Sequence, residues 1–228
     1  MPPARQVRVR PLLPGYAEAY QAQLAEADAV LAMSGEDTPV AGTLFLGEHD
    51  HVYTLGKHGD DTNMLIPEAQ LQTLGIPLVR TDRGGDITYH GPGQLVGYPI
   101  LHLPSLNLGA RAYIATLQQT VIDALAVYGL SGMVDPHAAG VWLESSGGRP
   151  LRKICAMGVR ISRSVTMHGF ALNLNTDLSH FARINPCGFV DRGVTSLQQE
   201  LGQPVDMATF RTHFLESFAR CFHVEILL

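Results

Sequence analysis

Cys187 stands in Ile184-Asn185-Pro186-Cys187-Gly188-Phe189. Proline on one side and glycine on the other disfavour a helix or strand interior, so the thiol belongs to a turn that presents it. That makes Cys187 a candidate nucleophile. Cys155, in the alternating stretch Lys153 to Val159, and Cys221, on the apolar face of a C-terminal helix, read as small core residues. A nucleophilic thiol needs a histidine or a cation that favours the thiolate. The chain has two lysines, Lys57 and Lys153. Lys153 opens the apolar strand Lys153-Ile154-Cys155-Ala156-Met157-Gly158-Val159. It is there either an exposed strand-end charge or a side chain whose stem lies on the core while its ammonium enters a site. His90 and His168, both beside glycines, could orient a substrate or act as base to Cys187.

The stretch Arg83-Gly84-Gly85-Asp86-Ile87-Thr88-Tyr89-His90-Gly91-Pro92-Gly93-Gln94 packs four glycines among polar side chains. Glycine lets another group approach the backbone closely, and a linker would not carry aromatics, arginine and histidine. The stretch therefore reads as a loop that cradles a ligand. It is no dinucleotide fingerprint, and the chain holds no G-x-x-x-x-G-K-[ST] loop, so ATP use has no positive support. His49, His51 and His58 cluster, with His49 and His51 placed for one strand face, but no acidic or cysteine partner follows at metal-site spacing. No metal is expected.

These groups must be held by a folded core. At 46% hydrophobic and 16% charged over 228 residues, the composition is that of a globular protein. A net charge of -5 gives no support to nucleic-acid binding. The apolar run Leu95 to Leu103 is too short to span a membrane, so no membrane association is expected. No apolar segment of signal-peptide type follows the basic N-terminus. Three cysteines without a C-x-x-C pair argue against a disulfide framework and point to the reducing cytoplasm.

Apolar spacing predicts helices over Tyr16 to Met33, ended by Gly35, over Ala110 to Tyr128, and over Met207 to Phe222 with Asp206 as N-cap. Pro67 and Gly75 bracket a shorter one. Strands are expected at Val7–Arg10, Ala41–Leu46, His51–Leu55, Ile76–Arg80, Leu95–Leu103, Gly140–Leu143, Ile154–Val165, Thr166–Leu174 and Val224–Leu227. Gly47 to Asp50 reads as the turn between the second and third, and Ser145-Ser146-Gly147-Gly148 as a hairpin loop. Helices interrupt strands without regular βαβ alternation, which favours one α+β domain over residues 1–228 with a mixed sheet and flanking helices.

Several blocks together resemble the lipoyl(octanoyl) transferase family: Val52-Tyr53-Thr54-Leu55-Gly56, Arg83 to Gln94 continuing through Leu95-Val96-Gly97-Tyr98-Pro99-Ile100, Lys153 to Gly158, His168-Gly169-Phe170-Ala171-Leu172-Asn173, and Asn185-Pro186-Cys187-Gly188 followed by Val194-Thr195-Ser196-Leu197. The resemblance implies the fold shared with biotin and lipoate protein ligases and a cysteine/lysine acyltransferase without cofactor. By motif, Cys187 matches the acyl-carrying cysteine and Lys153 the lysine beside it. Arg83, Gly84, Gly85, Asp86, Ile87, Thr88, Tyr89 and His90, with Ala156, Met157 and Gly158 and with Gly169, Phe170 and Ala171, match segments lining the acyl site. The implied donor is octanoyl-acyl carrier protein. The implied acceptors are lipoyl domains of 2-oxoacid dehydrogenase E2 subunits and the glycine cleavage H protein. Such partners are generally acidic, so Arg149, Arg152, Arg160 and Arg163, or Arg5, Arg8 and Arg10, are either docking patches or solvated faces. The rival expectations are an ATP-dependent lipoate or biotin protein ligase, a cysteine hydrolase of acyl thioesters, and a carrier-protein binding module.

Overall fold

The computed structural model describes residues 5–33, 39–185 and 192–228. Its strands are β1 (Arg5–Pro11), β2 (Val40–Gly47), β3 (Val52–Leu55), β4 (Leu78–Arg80), β5 (Ile87–His90), β6 (Gln94–Leu101), β7 (Gly132–Asp135), β8 (Ala138–Leu143), β9 (Arg152–Ser162), β10 (Val165–Asn173), β11 (Gly193–Val194) and β12 (Val224–Leu227). The helices are α1 (Tyr16–Met33), α2 (Glu68–Leu74), α3 (Ala110–Ala126), α4 (Leu197–Leu201) and α5 (Met207–Phe222). Nine strands form one mixed sheet in the order β12-β1-β2-β6-β10-β9-β8-β7, with β11 beside β9; β4-β3-β5 form a small second sheet. The first residues of β9 have β8 on one edge, and β11 takes the other, where β10 has not yet begun to pair.

Two hydrophobic layers sandwich the large sheet. On one face α3 and α5 bury Leu117, Val121, Phe210, Phe214 and Phe218 against Leu95, Val141, Ile154 and Phe170. Phenylalanines four apart form the buried stripe of α5, and Asp206 caps its start by accepting from the Thr209 amide at 2.7 Å. On the other face α1 lies over Phe45, Val96, Tyr98, Ile100 and Met167. Of the apolar positions whose spacing predicts this helix, Tyr16, Tyr20, Leu24, Ala27 and Leu31, the first is buried and the other four are partly buried, whereas the buried positions of α1 also include Gln23 and Glu26. The two polar residues bury because they satisfy groups facing them. Gln23 accepts from the His168 amide at 2.8 Å, and Glu26 accepts from the Thr43 hydroxyl at 2.6 Å.

Most expected elements are present, with some differences. Gly47 to Asp50 does not close a hairpin: β2 pairs with β1 and β6, whereas β3 pairs with β4 and β5. The break between β9 and β10 falls at Arg163 and Ser164, with φ of 49° and 63°, a two-residue turn that lacks the glycine or asparagine usual there. Part of the glycine-rich stretch is a strand, β5, and β7 carried no recognised signal. Finally, α3 stops at Ala126, and Tyr128 lies in the turn beyond it. The predicted stop of α1 at Gly35 lies outside the described residues. Among the described residues no helix is long and apolar enough to cross a membrane.

Candidate active site

The glycine-rich stretch joins the two sheets. Its β5 end pairs with β3, and the Gly84 amide donates to the Val159 carbonyl of β9 at 3.1 Å. Gly85 turns the chain at φ +86°, a conformation natural to glycine. Gly158 lies so close beneath that an added Cβ would stand 2.6 Å from the Gly84 carbonyl oxygen. Arg83 is the clasp. Nearly buried, it donates to the Thr54 carbonyl (2.7 Å), the Thr54 hydroxyl (2.9 Å), the Gly84 carbonyl (3.0 Å) and the Asp86 carbonyl (2.7 Å). Charge-assisted bonds of this kind hold a loop that has few apolar contacts of its own.

A cavity of about 620 Å³ opens at this junction. The glycine-rich stretch contributes Arg83, Gly85, Asp86, Ile87, Thr88 and His90; β9 contributes Lys153, Ala156, Met157 and Gly158; β10 contributes His168, Gly169, Phe170 and Ala171. Gly84 and Tyr89 are not in its wall. Tyr89 points into the small sheet, where it stacks on His180 and accepts or donates one bond with His51 Nδ1 at 2.6 Å. Leu178, Phe181, Ile184 and Asn185 form another part of the lining, and Arg192, Gly193 and Val194 a further one. Cys187 lies outside the described residues, but both flanks of that stretch are fixed at the cavity. The Asn185 amide donates to the Asn63 carbonyl at 2.8 Å, and Gly193 and Val194 pair with Arg152 and Lys153.

Sequence reasoning missed Gln94, Asn173, Trp142 and Arg192 among the wall residues. Trp142, the single tryptophan, is held by its indole N–H donating to the Ala138 carbonyl at 3.0 Å. The Lys153 ammonium lies 4.6 Å from its ring centroid and the Arg192 guanidinium 5.2 Å. Arg192 is also paired with Asp135. Cys155, expected in the core, is completely buried, and burial pushes its thiol up; Cys221 is half-buried beside Asp123.

The two histidines singled out differ in what they can do. Gln94 spends its amide nitrogen on the Tyr89 carbonyl and Asn173 Oδ1, so its oxygen accepts from His90 Nδ1–H at 2.9 Å. The other ring nitrogen faces the Thr54 hydroxyl at 3.4 Å. Burial, then the His49 and Arg83 charges, keeps His90 well below the usual histidine range, so it is a neutral strut. His168 directs Nε2 at Asp82 Oδ1, 2.7 Å away, while Nδ1 makes no hydrogen bond among the described residues. Burial holds it below the ordinary value despite the carboxylate. Burial raises Asp82 in turn, but hydrogen bonds from His168 and Tyr20, with the Arg160 charge, hold it below the usual range. His168 sits at φ 56° inside a buried strand, a conformation that costs a non-glycine residue about 1–2 kcal/mol.

His49 and His51 diverge: His49 bonds the Pro14 carbonyl and Tyr98, and His51 turns to Tyr89. Among the described residues no three His, Cys, Asp or Glu side chains converge as metal ligands would. The arginines flanking β9 do not form one patch. Arg149 and Arg152 pair with Glu200, Arg160 with Asp82 and Arg163 with Asp28. Arg152 is buried, which rules it out as a docking charge.

Residues 19–219 match the family model of the lipoyl protein ligase A/B catalytic domain. The chain is 52% identical over 193 residues to an octanoyltransferase of Bacteroides fragilis strain YCH46, covering 85% of this chain and 87% of that protein. It is 49% identical to an octanoyltransferase of Parabacteroides distasonis, covering 90% and 94%. Among solved structures it is similar to a bi-partite lipoate protein ligase of Thermoplasma acidophilum, with a TM-score of 0.74 at 16% identity over 98% of this chain and 86% of that one. At that identity the similarity speaks to fold alone, and it bears out the expected mixed sheet with flanking helices of lipoate protein ligase type. The catalytic-domain match and close identity along most of the length place this chain in the lipoyl(octanoyl) transferase family.

Proposed function

We propose that this protein, working as a single catalytic domain, takes an octanoyl group from octanoyl-acyl carrier protein as a thioester on Cys187. It then passes that group to a lysine of lipoyl domains, those of 2-oxoacid dehydrogenase E2 subunits and of the glycine cleavage H protein. The coarser statement, octanoyl transfer in protein lipoylation, follows from the family and from its octanoyltransferase relatives. The observation that supports the finer reading is the shared wall. Lys153 and both flanks of the stretch bearing Cys187 line one cavity, with Met157, Phe170, Leu178 and Phe181 offering an apolar surface to an alkyl chain.

In the first step the Cys187 thiolate attacks the thioester carbonyl carbon. The new C–S bond forms as the carrier's C–S bond breaks, and the carrier leaves as its thiol after taking up a proton. The Lys153 ammonium favours the thiolate. Acylation removes that negative charge, so Lys153 can release its proton to the departing thiolate and then accept one from the incoming amine. Nitrogen attacks the acyl-enzyme, the C–N bond forms, and Cys187 leaves as thiolate. Exchange between thioesters is nearly isoenergetic and amide formation is downhill, so no ATP enters.

Intact mass after mixing with octanoyl-acyl carrier protein, without ATP, tests this. An octanoyl adduct is expected on the wild type and on Cys155→Ser but not on Cys187→Ser, and a lipoyl domain should discharge it. No adduct on the wild type, with transfer only after ATP is added, overturns the reading.

A further inference from the structure

We infer that Trp142 is the positioning residue for Lys153. The inference rests on the cysteine/lysine reading above for its consequence, but not for its geometry. Trp142 and Lys153 are partners across the antiparallel pair β8 and β9, just past a register shift between Val141 and Trp142. One step on β8 there answers the two-residue step from Cys155 to Lys153, so the extra residue, Ile154, lies on β9. The extra residue brings Lys153, and not Ile154, opposite Trp142. Val141 and Leu143 both pack in the core layer under α3 and α5, and β8 alternation turns the indole between them to the opposite face, at the cavity wall. There it is 2% exposed and fixed by its bond to the Ala138 carbonyl.

The ammonium 4.6 Å from the centroid lies within reach of the ring's negative face. An indole attracts a cation but takes no proton, so this contact fixes where the charge stands without itself competing for the proton. Arg192 shares the ring, and its pairing with Asp135 offsets its charge, which lets two cations occupy one indole.

The chain's two lysines make this directly readable. The full-length protein is labelled with ¹³C-lysine, and the ε-methylene signals of Lys57 and Lys153 are recorded and assigned by Lys57→Arg. The Lys153 protons are expected upfield of those of Lys57 in the wild type, through the indole ring current. In Trp142→Leu the upfield shift is lost, because no aromatic face is left beside the ammonium. Trp142→Phe, which keeps an aromatic face, moves less. At saturating donor, cysteine loading in Trp142→Leu is expected to slow by about tenfold or more, with the donor KM unchanged.

A wild-type Lys153 signal without the upfield displacement overturns the inference even if no Trp142 variant folds. So does an upfield Lys153 signal that persists in folded Trp142→Leu. The dyad fails separately: a Lys153→Met protein that still loads octanoyl at the wild-type rate removes it and leaves the ring-current result standing.

Discussion

Replacing Glu200 with glutamine removes one buried negative charge beside the strand that carries Lys153. The carboxylate, its side chain 3% exposed, accepts from Arg152 Nε at 2.7 Å and Nη2 at 2.8 Å, from the Thr195 hydroxyl at 2.6 Å and from Arg149 at 3.0 Å. The Arg152 hydrogen bonds outweigh the burial that opposes them and bring the carboxyl from its ordinary 4.5 to about 2. At about 1.36 kcal/mol per pH unit this difference corresponds to about 3 kcal/mol. The folded value lies below the unfolded one, so the stabilisation is complete above pH 4.5 and is lost as pH falls towards 2. Glutamine also leaves Arg152 buried without its carboxylate, a change that typically costs about 3–5 kcal/mol. Glu200→Gln is therefore expected to be less stable than the wild type by about 3 kcal/mol at neutral pH, with the two proteins converging as pH approaches 2. Urea unfolding at a series of pH values, followed by the fluorescence of Trp142, measures this. A difference below about 1 kcal/mol at neutral pH, or one that does not change with pH, would refute the reasoning. Carboxylates common to both proteins cancel in the comparison.

Two further outcomes are expected. Gly158→Ala sets a methyl 2.6 Å from the Gly84 carbonyl oxygen, and backbone must yield. It should lower stability by about 1–3 kcal/mol and slow cysteine loading more than an alanine at Gly148, where nothing lies within 4 Å. Equal loading rates would separate the glycine-rich stretch from the acyl site. His90 is held neutral in the fold, below its ordinary 6.5, so its linked stability is present above that value and lost as pH falls through it. The Tm of the wild type should drop below pH 6.5, and His90→Gln should drop less steeply; parallel curves would contradict the assignment of a neutral strut.

The elements easiest to read were those fixed by near neighbours. Helix α5 runs from Met207 to Phe222 as expected, because its Asp206 cap and its phenylalanines at i and i+4 act within one helix. The limits of α1 were legible too, but its buried face was not. Gln23 and Glu26 look like surface residues until the His168 amide and the Thr43 hydroxyl are seen opposite them. The Arg163-Ser164 turn escaped because its residue types carry no signal for positive φ. The surroundings of the arginines escaped for a similar reason: charge spacing along β9 does not reveal that Glu200, Asp82 and Asp28 stand beside them, or that Arg152 is buried.

By itself the sequence determined which groups have chemistry to offer. Proline and glycine around Cys187, a lysine at the head of an apolar strand and a glycine-dense stretch are properties of residue type and adjacency. Tertiary structure decided which of them meet, and in what state. His90 and His168 look alike in sequence. Gln94 and Thr54 occupy both nitrogens of the first, and Asp82, 86 positions away, holds one nitrogen of the second. Lys153 reads either as a surface charge or as a site residue until a bulge in β9 at Ile154 sets it opposite Trp142. The physical reason is common to both cases. Tautomer, charge and side-chain direction depend on the few groups within hydrogen-bonding or van der Waals reach, and in a mixed sheet those groups come from distant parts of the chain.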